Sequence, residues 1–468
     1  PQCFPARFFC RLLCLLLSLL ESAARHRAIM QRVSMIVGHV AASEDAAFAT
    51  AAGVATAGQH FTIAAEPTSA SMSSSAPSDD DVVVCCALRT AIAKARKGGF
   101  KDSAPEDLLA PLFKAVLERT KVDPKKIGDV QIGNCLQPGS GAGSTRMSMF
   151  LADFPVEVPA MAINRQCSSG LQAVANVAAG IKAGTIDIGL AGGVESMSLY
   201  AMGQSDTSKM SSEIPKNDLA AACMIPMGIT SENVAEQWKI SRETQDQMAV
   251  GSHSKAVAAQ KQGLFDSEIV PVTATIKDKD GKTSQVVVKT DEGPRAETNL
   301  EGLSKLKAAF KQGGSTTAGN ASQVSDGAAL VLLARRSAAK ELGLPILARM
   351  RSFAVVGVDP KVMGIGPAYA IPSALDKAGL KVDDIDIYEI NEAFASQATM
   401  SVQHLNIPME KVNPKGGAIA LGHPLGCTGA RQVATLLPEL KRTGKKLGVV
   451  SMCIGTGMGA AGVFESEQ

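Results

Sequence analysis

The chain has few aromatic residues and almost no excess charge, and these two shortages exclude several classes of partner. Among 468 residues there are three tyrosines and one tryptophan, and the formal net charge is +2. Proteins that bind nucleic acid or an anionic membrane surface usually carry clustered lysine and arginine. No basic run with interleaved aromatic residues is present. We therefore predict no nucleic-acid partner.

The ten cysteines lack the spacing of a metal site or of a disulfide framework. No CxxC pair is present, and no histidine stands at ligand spacing from a cysteine. Neither a zinc site nor a disulfide scaffold is predicted, and we expect free thiols in a reducing compartment. The GxGxxG pattern at 457–462 is followed by only six residues. A dinucleotide-binding unit needs a helix and a further strand after this pattern, so we predict a close backbone approach there instead.

The N-terminal region differs in composition from the rest. The apolar run Phe8–Leu20 is too short for a comfortable transmembrane helix, so no membrane span is predicted. The first residue is Pro1, and Met30 is a plausible start. Residues 30–80 are rich in Ala, Ser and Thr, which is typical of a targeting segment and flexible linker. Globular patterning begins at Asp81, before a buried strand.

One cysteine stands where a fold can place a nucleophile. Cys167, in the segment NRQCSSG, lies between an apolar stretch at 156–163 and a helical pattern at 171–181. A thiol at a helix N-terminus feels unpaired N–H groups and the positive end of the macrodipole, and both favour the thiolate. An isolated cysteine is most often a small buried core residue. This motif alone leaves the two interpretations equally open.

Three further polar residues stand at element ends in the C-terminal part. His423 lies in the glycine-rich loop GGAIALGHPLG, ahead of a helical pattern. Cys453 follows the apolar strand predicted over 447–452, and Asn391 follows another apolar strand. Together with Cys167, these residues form a candidate nucleophile, base and acid set.

The strings NRQCSSGLQA, NEAF, GHPLG and CIGTG follow one another along the chain, which resembles the thiolase family from about Asp81 to Glu465. The resemblance implies an α/β protein with a duplicated thiolase fold, two similar halves in α-β-α-β-α layers, and an inserted loop domain that grips coenzyme A. It also implies acyl-CoA substrates, coenzyme A as a substrate, no permanently bound cofactor or metal, and a homodimer. The predicted domains are 1–80 for the targeting segment and linker, 81–200 for the N-terminal half, 201–318 for the loop insertion, 319–345 for the return to the first half, and 346–468 for the C-terminal half.

Hydrophobic patterning shows the duplication independently of the motifs. Each half runs strand, helix, strand, glycine-rich turn, helix, strand, which indicates parallel-type α/β layers. In the insertion, Thr230–Asn233 predicts a helix N-cap, with a charged helix to about Gln262, and 277–282 predicts a hairpin. The matching helices and strands are predicted over 108–119, 129–132, 170–184 and 186–191 in the first half, and over 371–380, 385–390, 429–444 and 447–452 in the second.

The resemblance assigns a role to each motif residue in the thiolytic cleavage of a 3-ketoacyl-CoA. Cys167 attacks the keto carbon and carries the acyl group. His423 takes the thiol proton and helps to hold the thioester oxygen, and Asn391 positions a water for the same oxyanion site. Cys453 protonates the departing enolate. The backbone N–H groups of Cys167 and Gly455 form a second oxyanion hole, which would explain the glycine at 455.

The resemblance also indicates residues around this set. Ser322, Met227 and Phe394 are expected to contact coenzyme A. Cys427 stands where many relatives carry alanine. Cys223 is close in sequence to Met227, and a disulfide with the nucleophile is a hypothesis for redox control.

Alternatives remain within and beyond the family. A biosynthetic acetoacetyl-CoA thiolase has the same chemistry, but it often carries histidine where this chain has Pro226, which favours the degradative group. The sequence at 229–236 resembles that of plant peroxisomal members of the family. A ketoacyl-synthase-type condensing enzyme uses one cysteine with two histidines, and Cys453 argues against it. An inactive lipid-binding scaffold is disfavoured because every catalytic position is filled.

A peroxisomal location is predicted from the N-terminal segment. Arg32, Ile36, His39 and Val40 share one face of a helix and resemble an N-terminal peroxisomal signal, although relatives usually end it with Leu or Ala. We therefore expect a peroxisomal import receptor as a partner, with the mitochondrion as the alternative destination.

Overall fold

Residues 76–203 and 207–468 are described by a computed structural model of the chain. The chain divides into two units, 1–69 and 70–468, and the described residues belong to the second. The apolar run at 8–20, the peroxisomal-type segment at 32–40 and most of the predicted linker lie outside the described residues. Within the described ranges, no helix is long and apolar enough to cross a membrane.

Strands and helices alternate along most of the described chain. The strands are β1 (Val82–Arg89), β2 (Ala93–Lys94), β3 (Asp129–Gly133), β4 (Ala160–Ile163), β5 (Ile188–Ser196), β6 (Val272–Lys277), β7 (Thr283–Val288), β8 (Ser325–Arg335), β9 (Ala348–Gly357), β10 (Ile387–Ile390), β11 (Leu447–Ile454) and β12 (Met458–Ser466). The helices are α1 (Pro105–Thr120), α2 (Ala142–Leu151), α3 (Ser169–Ala183), α4 (Asp218–Ala222), α5 (Met227–Gln237), α6 (Arg242–Lys261), α7 (Leu300–Ser304), α8 (Arg336–Glu341), α9 (Gly366–Ala378), α10 (Ala395–His404), α11 (Ala418–Leu421) and α12 (Leu425–Thr443).

The main sheet contains the same strand pattern twice. Its order is β10-β11-β12-β9-β1-β8-β5-β3-β4. In one half β3 is parallel to β5, which is antiparallel to β8, which is antiparallel to β1. In the other, β10 is parallel to β11, which is antiparallel to β12, which is antiparallel to β9. The two halves join where Val83 of β1 pairs with Arg349 of β9. The predicted duplication is confirmed.

The predicted parallel-type layers are present only in part, because both halves also contain antiparallel pairs. A crossover connection is needed to bring two strands side by side in parallel. The short turn at 455–457 between β11 and β12 cannot supply one, so these strands form an antiparallel hairpin. The GxGxxG pattern therefore continues into strand β12 rather than into a helix.

Five layers follow from the positions of the helices. Helix α1 covers one half of the sheet and α9 covers the other. Helices α3 and α12 lie between the halves and share one buried core with strands of both. Their first turns pack backbone to backbone, since a Cβ on Gly429 would stand 2.5 Å from the Leu171 nitrogen. The glycine therefore permits a helix spacing that alanine would prevent.

The insertion differs from its predicted form at one point. Thr230–Asn233 lies inside α5, which begins at Met227 with Pro226 as its N-cap, so the predicted cap is wrong. Thr230 is a residue type favoured at an N-cap, but Pro226 stands ahead of it as the N-cap, with a ring that suits the start of a helix. The charged helix is the separate α6, capped by the Ser241 side chain. The predicted hairpin is confirmed as β6 and β7.

A buried ionic network ties the insertion to both halves. Arg89 of β1 donates to Glu268 (2.6 Å) and to Asp291 (2.7 and 2.9 Å). Glu268 also accepts from Lys415, at 2.9 Å, and from Thr435 of α12, at 2.8 Å. These five side chains are fully or almost fully buried. The network therefore anchors the segment that leads from Lys415 to the glycine-rich loop.

Candidate active site

The Cys167 thiol lies two residues ahead of α3. Its side chain is partly exposed, and burial by the surrounding protein raises its pKa to about 11. The backbone N–H groups of Gly455 and of Cys167 itself lower this pKa, whereas the charge of Glu195 raises it further. The expectation that the helix N-terminus would favour the thiolate is therefore outweighed: desolvation of the charged form is the larger effect. In the free site the Cys167 side chain is therefore a neutral thiol.

His423 stands at the matching position of the second half, two residues ahead of α12. The preceding Gly422 has φ +109°, a conformation that favours glycine. The imidazole is buried, with Nε2 3.3 Å from Asn391 Nδ2 and Nδ1 2.6 Å from Thr428 Oγ1. Burial, and secondarily the charge of Arg431, lowers its pKa to about 3. The imidazole is therefore neutral at physiological pH.

The hydrogen-bond network assigns the tautomer of His423. The Thr428 hydroxyl donates to the Pro424 carbonyl (3.2 Å), so it accepts from Nδ1–H. The Asn391 amide then donates to an unprotonated Nε2. Nε2 is thus the basic nitrogen. Thr428 was missed by sequence reasoning, because a buried threonine one turn into a helix carries no motif of its own.

The Cys453 thiol closes the site from the second half of the sheet. It is fully buried at the end of β11, and burial, followed by the nearby Cys167 thiol, raises its pKa. It packs with Ala393 and Met363 and against the partly buried Met227 and Phe394. A thiol that remains protonated in such surroundings is suited to donating a proton.

Packing does not explain the glycine at 455. Its N–H group points toward the Cys167 sulfur. A Cβ at this position would lie 3.8 Å from Gln166 and from Met227, which are ordinary contacts. Contacts within the chain therefore do not explain this glycine, and its predicted part in an oxyanion hole stays a prediction.

The residues expected to contact coenzyme A lie around the same point. Ser322 donates its backbone N–H to the Ala393 carbonyl (3.0 Å), which places it beside the NEAF segment. The Phe394 ring meets Phe310 edge to face, with centroids 6.2 Å apart. Met227 begins α5 and reaches both Cys453 and Gly455.

Two other cysteines occupy different surroundings. The Cys223 sulfur lies 3.7 Å from the carbonyl oxygen of Thr456, in the turn that also holds Gly455. Cys427 is buried in the core between the two sheet halves, and burial raises its pKa to about 12. Across residues 76–203 and 207–468 no cluster of His, Cys, Asp and Glu has the form of a metal site.

The site combines a cysteine thiol, a neutral imidazole and a second protonated thiol. This set of groups is suited to an enzyme that transfers acyl groups. The chain belongs to the thiolase family: residues 82–337 match "Thiolase, N-terminal domain" and residues 344–466 match "Thiolase, C-terminal domain". The predicted domain boundaries themselves remain predictions.

Named relatives and a solved structure agree with this assignment. Rat peroxisomal 3-ketoacyl-CoA thiolase B is 58% identical over 437 residues, covering 93% of this chain and 99% of the relative. Peroxisomal 3-ketoacyl-CoA thiolase 1 of Petunia hybrida is 58% identical over 383 residues, with coverage of 81% and 82%. The dimeric peroxisomal thiolase of Saccharomyces cerevisiae superposes with a TM-score of 0.78 at 51% identity, covering 84% of this chain and 99% of that one.

Proposed function

We propose that this protein is an acetyl-CoA acyltransferase that cleaves 3-ketoacyl-CoA with coenzyme A during fatty acid β-oxidation in the peroxisome. The observation that carries the proposal is the pairing of two thiols of raised pKa, the partly exposed Cys167 and the buried Cys453, with a histidine held neutral. Relatives named peroxisomal 3-ketoacyl-CoA thiolases from mammals and plants support both the reaction and the location.

The reaction begins by moving the Cys167 proton to Nε2 of His423, which gives up its hydrogen bond from the Asn391 amide to accept that proton. Because the thiol and the imidazole are both neutral at rest, this transfer accompanies attack on the keto carbon. The bond between the α and β carbons then breaks, and Cys453 protonates the acetyl-CoA enolate. The thiol of a second coenzyme A then attacks the Cys167 thioester and takes the acyl group. Its proton restores Cys453, and His423 returns its proton to the departing Cys167 sulfur. Each step uses a proton that one of these three side chains holds or accepts.

Asn391 and His423 support an oxyanion site. The Asn391 amide donates to Nε2, and its Oδ1 atom has no hydrogen-bond partner among the described residues. A buried amide oxygen can accept from a water and so orient that water toward the substrate. On the other side, the N–H groups of Cys167 and Gly455 can stabilise negative charge on an oxygen bound near Cys167.

Substrate length tests the degradative assignment. We expect 3-ketoacyl-CoA with a long chain to be cleaved at a rate comparable to that of acetoacetyl-CoA. Thiolysis confined to acetoacetyl-CoA would favour the biosynthetic alternative. Absence of thiolysis on both substrates, in protein shown to be folded, would reject the function itself.

A homodimer is proposed through the free edge of the main sheet. Strand β4 pairs only with β3 in the described chain, and Met161 on it is exposed. Helix α2 exposes Met147, Phe150 and Leu151 nearby. A second copy would cover both the edge and this apolar patch. Met161→Lys should shift the mass measured by light scattering toward the monomer, whereas lysine at the exposed hairpin position Val287 should not.

Import and redox control are proposed with the sequence evidence given above. A reporter fused to residues 30–80 should enter peroxisomes in cells, and a cytosolic or mitochondrial signal would contradict that.

For Cys223, a peroxide would be reduced to water while the thiols of Cys223 and Cys167 join as a disulfide. Peptide mapping of oxidised protein should find this bond, and Cys223→Ser should remain active after oxidation if the hypothesis holds.

A further inference from the structure

A buried carboxylate lies between the two loops that carry Cys167 and His423. Glu195, near the end of β5, is fully buried. Its oxygens accept from the backbone N–H groups of Cys135 (3.0 Å) and Leu136 (3.1 Å), which follow β3, and from that of Gly426 (2.9 Å). Gly426 belongs to the first turn of α12, where a negative charge is favourable. One side chain thus links three elements.

Each linked element leads directly to the reacting groups. Cys135 donates its thiol to the Gln166 carbonyl (2.6 Å), the residue before Cys167, and accepts at its own carbonyl from Asn164 (3.1 Å). Gly426 follows His423 by three residues, with only Pro424 and Leu425 between. A displacement of either contact therefore moves the nucleophile loop or the histidine loop.

We propose that Glu195 is a positioning residue for thiolysis: its carboxylate fixes the Cys167 loop and the start of α12 against each other, and so sets how the His423 imidazole faces the thiol. This inference rests on the proposed function. No other described carboxylate accepts backbone N–H groups from both of these elements.

The negative charge of Glu195 and its hydrogen bonds act on Cys167 in opposite directions. The charge makes the thiol less reactive, whereas the hydrogen bonds position it for the catalysed reaction. Three titratable groups interact with it, the thiols of Cys135, Cys167 and Cys427, and in each case the negative charge raises the thiol pKa. Loss of the charge should make Cys167 more reactive toward a small alkylating agent. Loss of the geometry should make the catalysed reaction slower. A residue that only stabilised the fold would not separate these two readouts.

Glu195→Gln in the full chain tests this separation. The amide keeps the size of the side chain, removes the charge and turns an NH₂ group toward backbone donors. We expect kcat for thiolysis to fall by about 10- to 100-fold with KM changed by less than about threefold. The pH midpoint for alkylation of Cys167 by iodoacetamide should fall, so alkylation below the midpoint becomes faster than in the wild type.

Two variants complete the test. Glu195→Asp keeps the charge but shortens the reach, so kcat should fall while the alkylation midpoint stays; this variant also serves if the glutamine variant does not fold. Glu232 is a buried carboxylate that accepts from the backbone of Ser315 (2.9 Å) and Thr316 (2.8 Å), away from the thiols. Glu232→Gln should leave both readouts within about twofold.

Three results would overturn the inference. The first is a Glu195→Gln variant with kcat within twofold of wild type. The second is a variant in which alkylation and thiolysis slow in parallel, which indicates a structural role only. The third is an equal loss of kcat in Glu232→Gln. Failure of the proposed function is distinguishable from all three, because then the wild-type protein would show no thiolysis while Cys167 alkylation still responded to Glu195→Gln.

Discussion

Replacing Thr428 with valine removes one hydroxyl from a site that is otherwise unchanged in shape. Thr428 is fully buried, and its Oγ1 accepts from His423 Nδ1 at 2.6 Å. Without it, Nδ1–H is buried and unpaired, which costs about 1–3 kcal/mol. In the other tautomer Nε2 would carry the proton and face the Asn391 amide, itself a donor. Neither tautomer of the variant retains both hydrogen bonds.

Loss of this hydrogen bond should lower kcat, because proton transfer needs a correctly oriented imidazole. At about 1.4 kcal/mol per factor of ten, kcat for thiolysis should fall by about 10- to 100-fold, with a smaller change in KM. The assay is steady-state thiolysis of a 3-ketoacyl-CoA across a range of pH. Thr435→Val is the matched control, since Thr435 is buried on the same helix but donates to Glu268 instead.

Two outcomes would refute this reasoning. If Thr428→Val retained kcat within about twofold of wild type, the hydroxyl would not orient the imidazole. If Thr435→Val lost as much activity, the effect would reflect disturbance of α12 rather than the contact with His423. Melting temperatures of both variants show whether their losses of stability are comparable.

Three further predictions concern stability. His423 has a pKa of about 3 when folded and about 6.5 when unfolded, so its contribution to stability is present above pH 6.5 and is lost as pH falls toward 3; wild type should lose about 2 kcal/mol more than His423→Asn by pH 5 in urea unfolding. Arg89→Met leaves Glu268 without one partner in a buried network and should cost about 3–5 kcal/mol, seen as a lower melting temperature. Cys427→Ala removes a buried sulfur from the core between the two sheet halves and should cost about 1 kcal/mol by urea unfolding.

The fold was predictable where local patterns repeat. The helix ahead of β3 and the one ahead of β10 both show in the spacing of apolar residues, as do the central helices after Cys167 and His423. What the patterns could not give was strand direction. Whether two consecutive strands pair in parallel or antiparallel depends on the length of the connection between them, as at the β11–β12 turn. The spacing of apolar residues does not encode that length.

The site was predictable as a set of motifs but not as an electrostatic environment. A helix N-terminus favours a thiolate, and that rule alone gave the wrong protonation state for Cys167. Burial, a sum over many distant residues, reverses the result. Glu195 escaped for a related reason, since it acts through contacts between segments far apart in sequence. Thr428 lies only five residues from His423, but a buried threonine in the first turn of a helix carries no motif of its own.

The central claim is that the two thiols have different tasks, and the most direct measurement compares their alanine variants. Cys167→Ala should abolish both labelling by an acyl donor and thiolysis, because no covalent intermediate can form. Cys453→Ala should still accept an acyl group from a simple thioester, detected by mass spectrometry of the intact protein. It should nevertheless lose cleavage and condensation by orders of magnitude, because the α carbon has no proton partner. Cleavage of 3-ketoacyl-CoA by Cys453→Ala at near the wild-type rate would contradict the claim.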